Sequence, residues 1–325
     1  MQQIGEILAT IEKQVDALPL QGKPMSLYDP ILYSMQNGGK RIRPLLTILA
    51  CQMFDSTKVN NAYAPAIAFE MFHNFTLLHD DLMDNAAVRR GKQSVPVKYG
   101  ANTAILSGDT MLVEAFNILR QTESSNFKAI LELFTKTAKE ICEGQMYDME
   151  FENRNNVTEA EYIEMIRLKT SVLIGACLKA GALVAETTSE KAQQIYDFGV
   201  AIGLAFQLRD DILDTFGNPE TFGKKIGGDI IENKKTYLLI NLLTKASADD
   251  LKIINEWLAK EQFVEEEKIA AIKSMYVKYG IDKMAQDKVE EFSKQAEAIL
   301  NNFGSQGFKT EQLQEIRAKL LNRNK

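Results

Sequence analysis

Leu77-Leu78-His79-Asp80-Asp81-Leu82-Met83-Asp84 nearly recurs downstream as Gln207-Leu208-Arg209-Asp210-Asp211-Ile212-Leu213-Asp214. Each copy is an Asp-Asp-x-x-Asp that closes an apolar run of helical periodicity. The first and last Asp of a copy are four apart, so they share one helix face about one turn apart. Like charges at that spacing destabilise a helix, and carboxylates near a helix C-terminus oppose its dipole. Folding stability gives no reason for either cluster, and a bound cation does. Oxygen-rich clusters suit Mg²⁺, which takes carboxylates, water and phosphate oxygens. A solvated helix end explains one such cluster, but not two inside apolar segments.

The two segments, roughly 61–84 and 189–216, are apolar almost all round, so both are expected to be buried. If they pack with their acidic ends together, six carboxylates face one another across a cavity mouth. Burying that charge without cations is prohibitive. Divalent metals bridged by a polyanion satisfy it.

Helical patterning continues on both sides. Asn60 or Asn61 is expected to cap a helix with Pro65 in its early turns, ending near Asp84. Thr103 to Arg120 and Phe127 to Glu150 carry apolar residues at three- and four-residue spacing. Thr158 and Glu161 form a capping box opening a long helix to about Glu186. Ser189 caps the next, which ends near Phe216 ahead of Gly217-Asn218-Pro219. Gly199 and Gly203, four apart, allow a neighbouring helix to approach closely. From Lys234 onward the pattern predicts shorter, more exposed helices. No period-two alternation predicts a sheet.

Composition agrees with one large all-helical domain over residues 1–325. The chain is 45% hydrophobic and 25% charged with only seven prolines, ordinary for a globular protein, and no Pro-, Gly- or Ser-rich linker divides it. A net charge of −6 argues against nucleic acid as the main partner. Cys51, Cys142 and Cys177 form no metal-type spacing and fit a reducing, cytoplasmic setting. Met1 to Leu18 is amphipathic and lacks the apolar core of a signal peptide. The longest apolar run, Val172 to Ala185, carries Lys179 and is too short to span a bilayer.

Basic residues supply the other half of a polyanion site. Gly38-Gly39-Lys40-Arg41-Ile42-Arg43-Pro44 sets three cations beside a glycine pair. Arg89-Arg90-Gly91-Lys92 follows the first acidic cluster. Lys169-Thr170 lies within an apolar helix, and Lys224, Lys225, Lys234 and Lys235 flank Gly227-Gly228-Asp229. Glycine lets the backbone approach phosphate, and Arg forks match phosphate oxygens.

With these elements in order, the chain resembles the trans-isoprenyl diphosphate synthases (polyprenyl synthetase family) over nearly its whole length. The resemblance is carried by Gly39-Lys40-Arg41 with Arg43-Pro44, both aspartate motifs, Arg89-Arg90-Gly91, Gly144-Gln145, Lys169-Thr170, Phe206-Gln207, and Gly223-Lys224 through Asp229, Lys234 and Thr236. It implies an all-α, single-domain bundle of ten or so helices or more around a deep central cavity, working as a homodimer. It also implies about three Mg²⁺ ions, replaceable by Mn²⁺, held by carboxylates and an allylic diphosphate. By matching position, Asp80, Asp84 and Asp210 ligate metal directly, while Asp81, Asp211 and Asp214 are ligands or partners behind them. Arg89, Lys169, Thr170, Gln207, Lys224 and Lys234 attend the allylic diphosphate. Lys40, Arg43 and Arg90 hold isopentenyl diphosphate.

The implied reaction joins isopentenyl diphosphate to an allylic diphosphate head-to-tail. Metals and cationic side chains stabilise the departing diphosphate, which can also take the proton that is lost. No protein base is needed, so His73 and His79 are read as structural. The sequence departs from the family at Asn85, where many relatives carry another acid, and at Gln93 and Pro96, in place of Pro and His. The first motif has no two-residue insertion. Phe75 lies five residues before Asp80, about 7.5 Å down the helix, with the small Thr76 beside it and Phe72 and Met71 a turn deeper. This floor resembles that of fifteen- to twenty-carbon synthases, with geranylgeranyl diphosphate the first expectation and farnesyl diphosphate the next. A class I terpene cyclase would lack the Gly-Lys-Arg element and carry an Asn/Ser/Glu-type second motif. A non-catalytic subunit of a heteromeric synthase typically loses aspartates, and this chain keeps all six.

Overall fold

Helices make up nearly every element of the computed structural model, which describes residues 2–218 and 226–321. The chain forms two compact units, residues 1–135 with 176–196 and residues 136–175 with 197–325.

The first unit contains α1 (Ile4–Asp16), α2 (Met25–Gln36), α3 (Ile42–Phe54), α4 (Tyr63–Met83), α5 (Val95–Tyr99) and α6 (Ala101–Leu119), together with the start of α7 (Phe127–Glu152). It also takes most of α9 (Val172–Val184) and the start of α10 (Ser189–Phe216). α4 begins later than the sequence predicts, because Ser56–Ala62 winds as a 3-10 helix and Ala62, not Asn60 or Asn61, sits at the cap. α4 packs on α3 and α6. Its Phe69 and Phe72 are fully buried, and their rings meet Phe134 of α7 at centroid distances of 5.2 and 5.4 Å. Each such side chain contributes about 1.5–3 kcal/mol on burial. Gly108 of α6 makes room for His79, whose ring occupies the place where a Cβ would stand.

One ribbon is the sheet among the described residues. Val88–Arg89 pairs antiparallel with Lys92–Gln93, a feature that the hydrophobic pattern does not predict. Two strands this short leave no alternation to detect, but Arg90 and Gly91 both take positive φ, the pattern of a tight hairpin turn.

The second unit contains α8 (Glu159–Ile166), the motif-bearing part of α10, and α11 (Gly228–Ile231). It continues with α12 (Tyr237–Lys245), α13 (Ala248–Ala259), α14 (Glu265–Lys278), α15 (Ile281–Ser305) and α16 (Glu311–Leu321). α15 is 25 residues long, longer than the short helices expected there. Thr158 and Glu161 form the predicted capping box, but the helix does not run unbroken to Glu186. A π turn, Arg167–Ser171, separates α8 from α9. A Cβ on Gly144 of α7 would collide with the backbone of Lys169, and one on Gly203 of α10 would stand 2.6 Å from Ser171 Cα. Two glycines thus let two helices close on the wide turn that carries Lys169 and Thr170, and π turns of this kind often mark functional sites. Thr188, rather than Ser189, caps α10, its hydroxyl accepting Lys191 N–H at 3.3 Å.

Candidate active site

In the first unit the first aspartate motif ends α4. Asp80 is half-buried, Asp81 is buried, and Asp84 is exposed at the C-cap. Asn85 takes positive φ just beyond, a conformation Asn tolerates at helix exits. That explains its place there. From the ribbon, Arg89 Nε donates to Asp81 Oδ1 at 2.7 Å and Nη2 to Asp80 Oδ2 at 3.3 Å. Burial pushes the Asp81 carboxyl up, and Arg89 pulls it back. Burial also works against the Arg89 charge, but Asp81, Asp80 and Asp84 outweigh it and raise its pKa.

The Gly-Lys-Arg element splits by role. Arg41, in the left-handed region at φ 47°, turns inward. Its Nη1 reaches Glu70 at 2.8 Å and its Nε reaches Glu12 at 3.0 Å. Of the three cations in this stretch, Arg41 is therefore committed to structure. Lys40 is exposed. Arg43 Nη1 donates to His73 Nε2 at 3.0 Å. Burial, then Arg43, Arg90, Arg89 and Arg41 in turn, keep the His73 imidazole well below its usual range, so it is neutral and can accept. Arg43 Nε is buried without a hydrogen-bond partner. Arg90 donates from Nη1 to Gly38 O, and its guanidinium lies 3.0 Å from where a Gly39 Cβ would stand. Arg43, Arg90 and neutral His73 thus form a cationic group suited to an anion. Sequence alone assigns His73 a structural role only. Its position seven residues before Asp80, on the same helix face, is the signal that identifies it. His79 packs edge-on to Phe75 at 4.8 Å and reaches Ile105 O at 3.2 Å.

Below the first motif, Phe75 is half-buried and Phe72 and Met71 are buried. Phe72 and Phe75 rings meet at 5.6 Å. Thr76 Oγ1 donates back to His73 O at 2.8 Å.

In the second unit a polar cleft of about 650 Å³ is lined by Asp210, Asp211, Asp214, Asp148, Asp229, Lys169, Thr170, Gln207, Lys234 and Lys235. Lys169 Nζ bonds Asp148 Oδ2 at 2.6 Å. Asp214 Oδ2 accepts Asp229 N–H at 3.0 Å, and Lys234 N–H reaches Asp229 O at 2.8 Å. The cleft thus gathers Lys169, Thr170, Gln207 and Lys234 beside the three aspartates of the second motif. Lys224 lies outside the described residues. The sequence does not point to Asp148, and it marks Asp229 only as the end of the Gly223–Asp229 stretch, with no role given. Burial and then Asp214 push the Asp229 carboxyl up to about 7. Burial and then Asp229 push Asp211 well above the carboxylate range. Crowded carboxylates held against their own repulsion fit a divalent cation. Among the described residues no group of three or more His, Cys, Asp or Glu side chains is arranged to hold a metal ion by itself.

The chain belongs to the polyprenyl synthetase family, whose model matches residues 24–276. It is a prenyltransferase, in a family of metal-dependent synthases. It is 41% identical to a geranylgeranyl diphosphate synthase of Methanosarcina mazei over 74% of this chain and 75% of that protein. It is 37% identical to that of Sulfolobus acidocaldarius over 88% and 87%. A crystal structure of a geranylgeranyl pyrophosphate synthase superimposes with a TM-score of 0.93 at 40% identity, covering all of both chains. The expected all-α isoprenoid synthase class is therefore the fold observed.

Proposed function

We propose that this prenyltransferase condenses isopentenyl diphosphate with allylic diphosphates, chiefly to geranylgeranyl diphosphate. The observation that carries the reading is the Arg43, Arg90 and neutral His73 group, with Arg43 Nε unpartnered. A cyclase has no use for this second diphosphate site. Lys40, Arg43 and Arg90 hold isopentenyl diphosphate, with His73 orienting Arg43. Lys169, Thr170, Gln207 and Lys234 serve the allylic diphosphate in the second unit, as Arg89 does in the first. Asp80, Asp84 and Asp210 ligate about three Mg²⁺ ions. When bound, the metals supply charge stabilisation to the diphosphate as its C–O bond ionises. The apolar side chains keep water from the cation. Phe75, with Phe72 and Met71 beneath, limits the tail.

The working unit is proposed to be a homodimer in the cytoplasm. Leu106 and Val113 of α6, a face apart by two turns, are 60% and 58% exposed, with Ile105 beside them. Apolar groups aligned this way suit a partner copy. No described helix is long and apolar enough to cross a membrane, and the three cysteines are unpaired.

Incubation of purified protein with Mg²⁺, isopentenyl diphosphate and each allylic starter, followed by chromatographic sizing, tests the proposal. A twenty-carbon product is expected. No elongation from any starter overturns the reading.

A further inference from the structure

Asp211 spends both carboxylate oxygens inside the protein. Oδ2 accepts the Tyr162 hydroxyl, and Oδ1 accepts Gln207 Nε2–H at 3.2 Å. Gln207 Oε1 in turn accepts Thr170 Oγ1–H at 3.3 Å. Tyr162 is 2% exposed and Asp211 5%, so water cannot replace these bonds. A hydroxyl is buried this deeply only when it has a partner, and Asp211 is that partner. Asp210 and Asp214 share a face of α10, whereas Asp211 stands about 100° around from Asp210. Asp211 lines the cleft as well, but Tyr162 and Gln207 take its two oxygens, and fixing Asp211 fixes the rotation of α10 that presents the other two.

We propose that Tyr162 is a positioning residue for the second aspartate motif. From α8 it locks Asp211, and through Asp211 it sets both the rotation of α10 at the motif and the amide of Gln207 beside Thr170. Asp211 is on this view a support for the metal ligand Asp210 rather than a ligand itself. The inference rests on the proposed reading of the second motif as a metal–diphosphate site.

Tyr162→Phe removes one hydroxyl and keeps the ring, and circular dichroism checks the fold. The direct test is calorimetric titration of the full chain with inorganic diphosphate in MgCl₂, beside steady-state kinetics. Affinity for diphosphate is expected to fall about tenfold, as for other groups that orient metal ligands. The KM for the allylic substrate should rise by a similar factor, and that for isopentenyl diphosphate should not change. In an Asp211→Ala background the second substitution should add nothing. Unchanged diphosphate affinity in Tyr162→Phe, while Asp210→Ala abolishes binding, overturns the inference and leaves the reading of the motif standing. Additive losses, or equal rises in both KM values, overturn it too. Diphosphate binding by Asp210→Ala equal to that of the wild type overturns the reading of the motif itself.

Discussion

The two aspartate motifs are near copies in sequence and opposites in surroundings. The first ends its helix, and a guanidinium, Arg89, neutralises Asp80 and Asp81. The second lies a few residues inside α10, where neutral donors, Tyr162 and Gln207, serve Asp211. Asp229 crowds Asp211, and Asp214 crowds Asp229, with Lys234 offsetting part of the repulsion. The segments beneath the motifs differ as well. Five residues before its first Asp, α4 carries Phe75 and α10 carries Ala205. On α10, Gly203 closes against Ser171 of the π turn. On the proposed reading α4 stops a growing chain, while α10 packs tightly against the turn that carries Lys169. An identical pattern of carboxylates therefore does not imply identical roles.

The bluntest way to break this contrast is to remove one proposed metal ligand from each motif. Asp80→Ala and Asp210→Ala should each lower turnover roughly 10²- to 10³-fold, the range for loss of one charge-stabilising group, with helical circular dichroism retained. Excess EDTA should abolish turnover. Normal activity in either variant would show that its motif holds no required metal.

Phe75→Ala tests the aromatic floor proposed for α4. The product should lengthen by at least one isoprene unit, until Phe72 and Met71 meet the tail. Loss of a half-buried ring costs about 3 kcal/mol, the low end for such truncations, so folding is checked first. A folded variant with the wild-type product distribution would place the floor elsewhere.

The diphosphate groups can be separated by KM. Arg43→Ala should raise the KM for isopentenyl diphosphate, and Lys234→Ala that for the allylic substrate. Each lost charged contact is worth about 1.5–3 kcal/mol, or roughly ten- to a hundredfold. Equal effects on one substrate would erase the division of roles.

Gly144→Ala sharpens the packing side of the comparison. The added methyl meets the Lys169 backbone, so the π turn must shift, at a cost of about 1–3 kcal/mol. The allylic KM should rise while the isopentenyl KM holds. An unmoved allylic KM would show that the turn tolerates displacement without carrying Lys169 off its target.

Most of this is legible in the sequence because it is local. Repeated Asp spacing, the capping box at Thr158 and Glu161, and basic residues beside glycines are all visible within a few positions. What escapes depends on contacts distant in sequence. The wide turn at Arg167–Ser171 follows from the close approach of Gly144 and Gly203, and periodicity alone extends the helix straight through it. Tyr162 gives no local sign that its hydroxyl meets Asp211 on another helix. Arg41 reads as one cation among three until Glu12 and Glu70 are seen to claim it. Asp148 looks like an ordinary surface acid until the fold brings it into the cleft against Lys169.

The smallest effect concerns the base on which Tyr162 stands. Thr158 Oγ1 accepts Glu161 N–H at 3.3 Å, and Glu161 Oε2 accepts Thr158 N–H at 2.8 Å. Arg154 Nη2 adds a bond to Glu161 Oε1 at 2.7 Å. The first motif has no comparable cap behind it, since its support is the Arg89 ion pair. Thr158→Ala should cost about 1 kcal/mol, a drop of a few degrees in Tm, with little change in turnover. The Thr158 backbone N–H, then the Arg154 and Thr158 side chains, pull the Glu161 carboxyl down from 4.5 to about 2. A carboxylate lowered in the folded state adds stability above its unfolded pKa and loses it as pH falls through the folded one. The contribution is thus complete above about pH 4.5 and fades toward about pH 2. The Tm gap between wild type and Thr158→Ala should therefore narrow in thermal melts run at acid pH. A gap as wide in acid as at neutral pH would mean that the Glu161 charge is no part of what Thr158 contributes to the cap.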